Sequence, residues 1–211
     1  MHIILDVSII VLLFTLFAVL HSFLASIENK VRFKENFGSF IAFYRIGYNI
    51  FSLASFYFIY QLSPKPHVTI YDLPNPYDLI ILIPQFLSLA GFIWAFKYIC
   101  AKEFLGIGQI KRYFQKKYTS ELDENLTLNI GGPYKYSRHP LYLFSILFLL
   151  FRPVMDLFYL TFFICLVVYF YVGSYYEEKK LIRHFGEEYI QYRKKVSRIF
   201  PSIPLKAYNP G

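Results

Sequence analysis

The sequence is short of charged residues, and of acidic residues in particular. Only 17% of its 211 residues are charged, with 14 Asp and Glu against 22 Lys and Arg. Meanwhile 56% are hydrophobic and 21% aromatic, which is more apolar surface than a water-soluble domain of this length can bury. The scarcity of charge therefore argues against an ordinary soluble domain and predicts a chain that lies mostly within a membrane.

The motifs of disulfide, metal and nucleotide chemistry are also missing. Cys100 and Cys165 belong to no CxxC or Cys/His spacing, and the five histidines form no HExxH, so neither a disulfide framework nor a metal site is predicted. Gly106 and Gly108 form no GxGxxG or GxxxxGK[ST], and no strand–helix alternation surrounds them. These absences argue against a Rossmann-type methyltransferase or dehydrogenase.

The sequence does contain a series of long apolar stretches. A membrane-spanning helix needs about 20 predominantly apolar residues. Such stretches cover 5–26, 39–62 and 77–100, a shorter one begins at Pro140, and another ends near Tyr176. Residues 152–156 form the turn between the last two. No basic segment or small-residue cleavage site accompanies the first stretch, so a spanning helix is favoured over a signal peptide.

These stretches predict an all-α fold. We expect a polytopic membrane helical bundle of about five spans in a single domain over 1–211. The last two spans form a hairpin, and an amphipathic C-terminal helix follows on the cytoplasmic surface. That helix is indicated by apolar residues that recur at three- or four-residue steps: Leu181, Phe185, Tyr189, Tyr192 and Val196.

Basic residues fall mainly on one side of this arrangement. Residues 26–45, 101–139 and 176–211 hold four, seven and eight of them, so 19 of the 22 Lys and Arg share one side. Basic loops stay in the cytoplasm. The sequence therefore predicts an integral membrane protein with its N-terminus outside and its C-terminus in the cytoplasm, in the inner membrane if the cell is bacterial. The same asymmetry makes nucleic-acid binding a poor interpretation of the positive charge.

Polar residues inside the first two spans form a first candidate site. Arg45, Tyr48, Asn49 and Ser52 share one face of the second span, and His21 lies at the matching end of the first. Buried polar groups in a membrane either join helices or line a substrate pocket. Both interpretations stay open, and His21, Arg45 and Asn49 are the candidate catalytic residues.

The stretch GGPYKYSRHPLY at 131–142 forms a second candidate site. Pro140 suits the first position of a helix, whose free N–H groups attract a carboxylate. Arg138 and His139 stand beside it, and the hairpin should bring Glu177 and Glu178 back to the same level. Carboxylates opposite an Arg/His pair suit a zwitterionic ligand with an ammonium and a carboxylate. A plain salt bridge is the alternative.

These motifs resemble the integral-membrane methyltransferases of the isoprenylcysteine carboxyl methyltransferase and phospholipid methyltransferase superfamily. The resemblance covers residues 126–201, through LTLNIGGPYKYSRHPLY, an apolar hairpin and EE…FGEEYIQYRKKVSRIFP. It implies S-adenosylmethionine as cofactor and S-adenosylhomocysteine as product. Positions that match the superfamily's cofactor contacts are Leu128, Asn129, Tyr134, His139, Pro140, Leu141, Tyr142 and Glu177; Arg138 and Glu178 complete the predicted site.

The front half is similar to the methanethiol S-methyltransferase branch, which includes nurim-like membrane proteins. FAVLHSFLAS, AFYRIGYNIFSL and FLGIGQ carry this similarity. Gly173 stands where isoprenylcysteine enzymes have a substrate-contacting arginine. The resemblance implies that 1–100 serve the acceptor and 101–211 the cofactor.

The expected function is methyl transfer within the bilayer to a small or lipophilic acceptor, either a thiol or a prenylcysteine carboxylate. Two alternatives stay open: an NADPH-dependent membrane reductase and a non-catalytic nurim-like protein. The lipid bilayer is the expected partner, and the sequence does not indicate an oligomeric state.

Overall fold

The computed structural model describes residues 2–117, 122, 127–202 and 207–208, and most of them are helical. Two short 3₁₀ turns cover Gly38–Phe40 and Gly132–Lys135. The helices are α1 His2–Ala25, α2 Ile27–Phe37, α3 Ile41–Leu62, α4 Tyr77–Ile80, α5 Leu82–Phe96, α6 Ala101–Leu105, α7 Ile107–Phe114, α8 Pro140–Leu150, α9 Leu157–Phe185 and α10 Glu187–Lys195. The strands are β1 Thr69–Asp72 and β2 Val154–Asp156.

Three helical segments in the described part of the chain are long and apolar enough to cross a membrane: His2–Ala25, Tyr77–Phe96 and Leu157–Phe185. They identify an integral membrane protein. The other two expected spans are not among these three segments. The first of them, α3, has 22 residues and carries Arg45 and Asn49, and the second, α8, has only 11 residues. The mainly helical membrane fold is thus confirmed, while the count of five spans and the orientation stay predictions.

Two local features differ from the sequence prediction. The segment 152–156, expected as a plain turn in an all-α fold, contains β2, which pairs antiparallel with β1 in a two-stranded sheet. In addition, α9 runs without a break for 29 residues, past Tyr176 to Phe185. It ends where Gly186 adopts a φ of 56°, a conformation that favours glycine and that separates α9 from α10.

The chain forms two compact units. The first comprises Met1–Pro64 and Cys100–Thr127. In it, α3 packs against α1 and α7. Ile10, Phe14 and Phe17 are buried on α1, and the Phe17 ring packs against that of Phe56 with centroids 5.4 Å apart. That all 211 residues form one domain stays a prediction.

The second unit comprises Lys65–Ile99 and Leu128–Gly211. Its main contact is between α5 and α8, where Gly91 leaves room for the ring of Phe144. Gln85 on α5 donates a hydrogen bond to the carbonyl of Phe148 at 3.1 Å. Leu143 and Ile146 of α8 form a core with Ile199, which fixes α8 against the C-terminal segment.

Candidate active site

The start of α8 is held by backbone bonds to residues 197–199, from the far end of the unit. Arg138 and His139 donate their backbone N–H groups to the carbonyls of Ser197 and Arg198, each at 3.0 Å. The Ser137 hydroxyl donates to the carbonyl of Ile199 at 2.7 Å. Pro140 then occupies the first turn of α8, where a residue without an N–H loses no hydrogen bond. The segment 137–139 therefore has a fixed backbone before the helix begins.

Arg138 and Glu178 form a buried ion pair. Their side chains are 7% and 3% exposed, and the Arg138 Nη2 lies 2.8 Å from the Glu178 Oε1, to which Nε also donates. The Nη1 of Arg138 donates to the backbone carbonyls of Arg193 and Val196 at 2.7 and 2.6 Å. Most of the five guanidinium N–H groups of Arg138 thus bind atoms of the protein. This arrangement matches the alternative interpretation, in which Arg138 and Glu178 form a plain salt bridge.

Glu178 also attracts two further cations. The Nε of Arg193 lies 3.5 Å from its Oε2, and the Nε of Arg198 lies 3.7 Å from its Oε1. One buried carboxylate therefore faces three guanidinium groups, drawn from the start of α8, from α10 and from the segment after α10.

Glu177 has a different environment, although it is the next residue along α9. Its side chain is 47% exposed, and its Oε2 lies 3.4 Å from the Nδ1 of His139. The same oxygen accepts a hydrogen bond from the Tyr142 hydroxyl at 3.1 Å. Consecutive helical residues point about 100° apart, so one glutamate faces the core and the other remains open to a ligand.

His139 joins the two carboxylates. It is buried, with Nε2 3.4 Å from the Glu178 Oε1 as well as Nδ1 close to Glu177. Burial lowers the pKa of the imidazole, but the bonds and charges of Glu177 and Glu178 outweigh that effect and raise the pKa above its ordinary value. The cluster of two carboxylates, one histidine and Arg138 is therefore close to neutral when His139 is protonated.

An aromatic stack extends from this cluster. The rings of His139 and Tyr142 lie 5.3 Å apart at an interplanar angle of 4°, and the rings of Tyr142 and Phe170 lie 4.6 Å apart at 5°. Phe170 was not among the predicted residues, although it precedes Glu177 by seven positions, or two helical turns, and so shares its face. The stack fixes the ring of Tyr142 and leaves its hydroxyl directed at Glu177.

Tyr134 lies in the 3₁₀ turn before α8. Its carbonyl accepts a hydrogen bond from the Tyr192 hydroxyl at 2.5 Å. Burial and the nearby charge of Glu177 raise the pKa of Tyr134 to about 12, so its phenol remains protonated. The ring of Tyr98 lies 6.3 Å from that of Tyr134 and fills the space above Gly132, which has a φ of 52°. These contacts explain the glycine pair in GGPYKY.

The remaining predicted cofactor residues lie along the same region. Leu128 packs on a core of Tyr189, Tyr192 and Val196, and Asn129 is half-buried beside it. Residue 126 of the matched stretch 126–129 lies outside the described residues. Leu141 is half-buried in the first turn of α8. The second unit thus gathers the whole predicted cofactor set around the start of α8 and the end of α9.

The predicted catalytic residues all belong to the first unit. His21 on α1 shares a hydrogen bond of 2.5 Å with the Tyr48 hydroxyl on α3. Arg45 and Asn49 both donate to the carbonyl of Phe104, at 3.3 and 3.1 Å. Their shared face therefore receives the turn between α6 and α7, where Gly106 has a φ of 91° and closely approaches Ile46. These bonds join α3 to α6, as the helix-joining interpretation expects, and the catalytic roles of Arg45 and Asn49 stay predictions.

The residues around α8 fit an S-adenosylmethionine headgroup. Glu177 offers an exposed carboxylate for an ammonium, and the backbone N–H groups of the first turn of α8 suit a carboxylate. The stacked rings of His139, Tyr142 and Phe170 lie beside the Glu177 carboxylate and fix the Tyr142 hydroxyl that donates to it. Among the residues with described positions, no three His, Cys, Asp or Glu side chains gather in a way that would hold a metal ion.

Comparison with known proteins gives one consistent group of relatives. Over 196 residues, or 90% of the chain, it is 33% identical to methanethiol S-methyltransferase 1 of Bradyrhizobium diazoefficiens. It is 28% identical over 77% of the chain to methanethiol S-methyltransferase of Crocosphaera subtropica, and 36% identical over 78 residues to that of Pseudomonas deceptionensis. Over most of its length, the chain is therefore similar to proteins named methanethiol S-methyltransferase.

The extent of these matches supports the expected branch of the superfamily. An alignment over 90% of the chain includes most of the first 100 residues, so the predicted similarity of the front half to this branch is confirmed. The chain spans slightly less than two thirds of these relatives, 65% of the Bradyrhizobium protein and 63% of the Crocosphaera protein. No protein-family model matches the chain, and no solved structure matches it significantly.

Proposed function

We propose that the protein is an S-adenosylmethionine-dependent methyltransferase that methylates a small apolar thiol from within the membrane. The observation that carries this proposal is the homology over nine-tenths of the chain to proteins named methanethiol S-methyltransferase. The open carboxylate of Glu177 at the start of α8 supports the cofactor. Gly173, where prenylcysteine enzymes have an arginine, favours a thiol over a prenylcysteine carboxylate.

The cofactor residues divide into two roles. Glu177 binds the ammonium of the methyl donor, the first turn of α8 binds its carboxylate through the N–H groups of Leu141 and Tyr142, and Tyr134 and Tyr142 exclude water. Leu128 and Asn129 complete the lining. His139, Arg138 and Glu178 hold Glu177 and the α8 start in place, since most of the N–H groups of Arg138 are bound within the protein.

Bound S-adenosylmethionine would supply the methyl group from its positively charged sulfonium. Transfer to the sulfur of the acceptor thiol would leave S-adenosylhomocysteine, a methyl thioether and the proton of the thiol. The nucleophile is the thiolate. His21, held by Tyr48, is our candidate for accepting that proton. Arg45 and Asn49 contribute by holding Phe104 of α6 against α3. Positioning and exclusion of water supply most of the remaining catalysis.

Calorimetric titration of S-adenosylhomocysteine into the detergent-purified protein tests the cofactor assignment. We expect Glu177→Gln to weaken binding by roughly 10- to 150-fold, since a hydrogen bond to a charged group contributes about 1.5–3 kcal/mol. Glu188→Gln, which removes an exposed carboxylate on α10, is the matched control and should bind as the wild type does. Binding of NADPH instead would establish a reductase, and binding of neither ligand would favour a nurim-like scaffold.

Transfer of a labelled methyl group tests the acceptor. The wild type should methylate methanethiol and longer alkanethiols, and a prenylated cysteine analogue should remain unmodified. The reverse preference would overturn the thiol assignment while leaving the cofactor assignment intact. His21→Ala should lower kcat without changing the affinity for S-adenosylhomocysteine.

We also propose that the N-terminus lies outside and the C-terminus in the cytoplasm, supported by the 19 basic residues that fall on one side. In bacteria this places the protein in the inner membrane. Fusion of reporters that are active in only one compartment to each terminus tests this orientation.

A further inference from the structure

The end of α9 that leaves the membrane carries more positive charge than its own carboxylates balance. Glu178 faces three guanidinium groups. Arg138 is buried and bound by backbone carbonyls, whereas the side chains of Arg193 and Arg198 are 46% and 32% exposed and share Glu178 at 3.5 and 3.7 Å. Arg138 already neutralises the carboxylate of Glu178, so the charges of Arg193 and Arg198 are not balanced by it.

Lys179 adds a third cation on the same side of α9. Its Nζ lies 4.4 Å from the centroid of the Tyr175 ring and 5.7 Å from that of Tyr176. Tyr175 lies three residues before Glu178 and four before Lys179, so its side chain stands between these two around the helix. Its hydroxyl is within electrostatic range of Lys179, Arg198 and Arg193. Lys179, Arg193 and Arg198 form the basic patch, with Tyr175 and Tyr176 at its edge.

The depth of this patch follows from the length of α9. The helix has 29 residues and is about 43 Å long, whereas the hydrocarbon core of a bilayer is about 30 Å thick, or about 20 helical residues. Twenty residues counted from Leu157 end at Tyr176. Tyr175 and Tyr176, which are 46% and 65% exposed, thus lie at the interface, where tyrosine is enriched in membrane proteins. The cations of the basic patch lie just beyond it, at the level of the lipid headgroups.

From this charge excess and depth we infer that the basic patch binds the phosphate of an anionic membrane lipid. The tyrosine rings pack beside the glycerol region, and Lys179, Arg193 and Arg198 surround the phosphate oxygens. Binding of the lipid neutralises the cations left over around Glu178, and so stabilises the end of α9 and its contact with α10.

Detergent-purified protein transferred into nanodiscs tests the inference. Thermal unfolding is compared in phosphatidylcholine discs with and without phosphatidylglycerol, and retained lipid is counted by native mass spectrometry. Each cation near an anionic surface contributes about fivefold to binding affinity, so Lys179→Gln/Arg193→Gln should weaken the affinity for phosphatidylglycerol by about 25-fold and lower the number of retained phosphatidylglycerol molecules. Glu178 keeps its closest partner, Arg138, in this variant, so the protein should remain folded.

Lys194→Gln on α10 is the matched control, because it removes an exposed cation next to Arg193 but outside the basic patch. It should retain phosphatidylglycerol as the wild type does. An equal loss in the control, or equal retention of both lipids by the wild type, would overturn the inference. A separate experiment adds inorganic phosphate to the wild type. If phosphate raised the melting temperature and the protein retained no lipid selectively, the site would bind free anions and the inference of a lipid site would be overturned.

Discussion

Replacement of Arg138 by methionine is the sharpest test of how the candidate site is held. The change leaves the buried carboxylate of Glu178 without its closest partner, and it removes the donor to the carbonyls of Arg193 and Val196. Breaking a buried ion pair costs about 3–5 kcal/mol. Arg193 and Arg198 remain 3.5 and 3.7 Å from Glu178 and limit the loss. We therefore expect the free energy of unfolding to fall by about 3–5 kcal/mol rather than more.

The double variant Arg138→Met/Glu178→Met separates the charge from the packing. It leaves no buried carboxylate, and the two remaining arginines can be solvated. What persists is the loss of donors to two carbonyls, about 1–3 kcal/mol. The double variant should thus be more stable than Arg138→Met alone, since apolar replacements of buried pairs are often tolerated.

Equilibrium unfolding of the micelle-embedded protein, followed by circular dichroism, measures both variants. Arg193→Gln provides the matched control, because a partly exposed arginine at 3.5 Å from the same carboxylate should contribute about 0–1 kcal/mol. If Arg138→Met cost no more than Arg193→Gln, the guanidinium of Arg138 would not be the buried partner of Glu178, and it would again be available to a ligand.

Three further predictions concern single side chains. Gly132→Ala should lower the melting temperature, because the new Cβ would overlap the Tyr98 ring and position 132 has a φ of 52°. Gly173→Ala, with nothing within 4 Å of the new Cβ, should be neutral or stabilising. Thermal unfolding compares the two variants. Because the pKa of His139 is raised in the folded protein, the stabilisation by protonated His139 is complete below the ordinary pKa of 6.5 and is lost as the pH rises through the raised pKa. Over that pH interval the melting temperature of the wild type should fall relative to that of His139→Gln. Parallel curves of melting temperature against pH would refute this. Asn49→Leu should lower the free energy of unfolding by about 1 kcal/mol through loss of the bond to Phe104, with unchanged calorimetric affinity for S-adenosylhomocysteine.

The sequence predicts some of this geometry because part of it is local. A helix start at Pro140 and a return along α9 are sufficient to bring Arg138 and His139 opposite Glu177 and Glu178, and the structure has these contacts at 2.8 to 3.4 Å. The different exposures of the two glutamates were not predictable, since identical neighbours on a helix carry no signal of which one faces the core.

Long-range extended pairing is the other feature that the sequence could not reveal. Residues 197–199 have no periodic pattern, and their partners lie some 60 positions earlier. The strand β1 was equally hidden, because its pairing with β2 also joins distant segments. In the first unit, the polar face of α3 was visible, but its acceptor is a backbone carbonyl, which any residue at position 104 would supply.

The pairing of 137–139 with 197–199 also orders the events of biosynthesis. A chain emerging from the ribosome presents Ser137 and His139 long before Ile199 exists, so the Ser137 hydroxyl and the backbone N–H groups of residues 138 and 139 lack their acceptors while α9 and α10 are made. The backbone of His139, whose imidazole contacts Glu177, is therefore fixed only after residues 197–199 have been synthesised. Truncated chains that end before Ser197 should insert both α8 and α9 yet bind no S-adenosylhomocysteine.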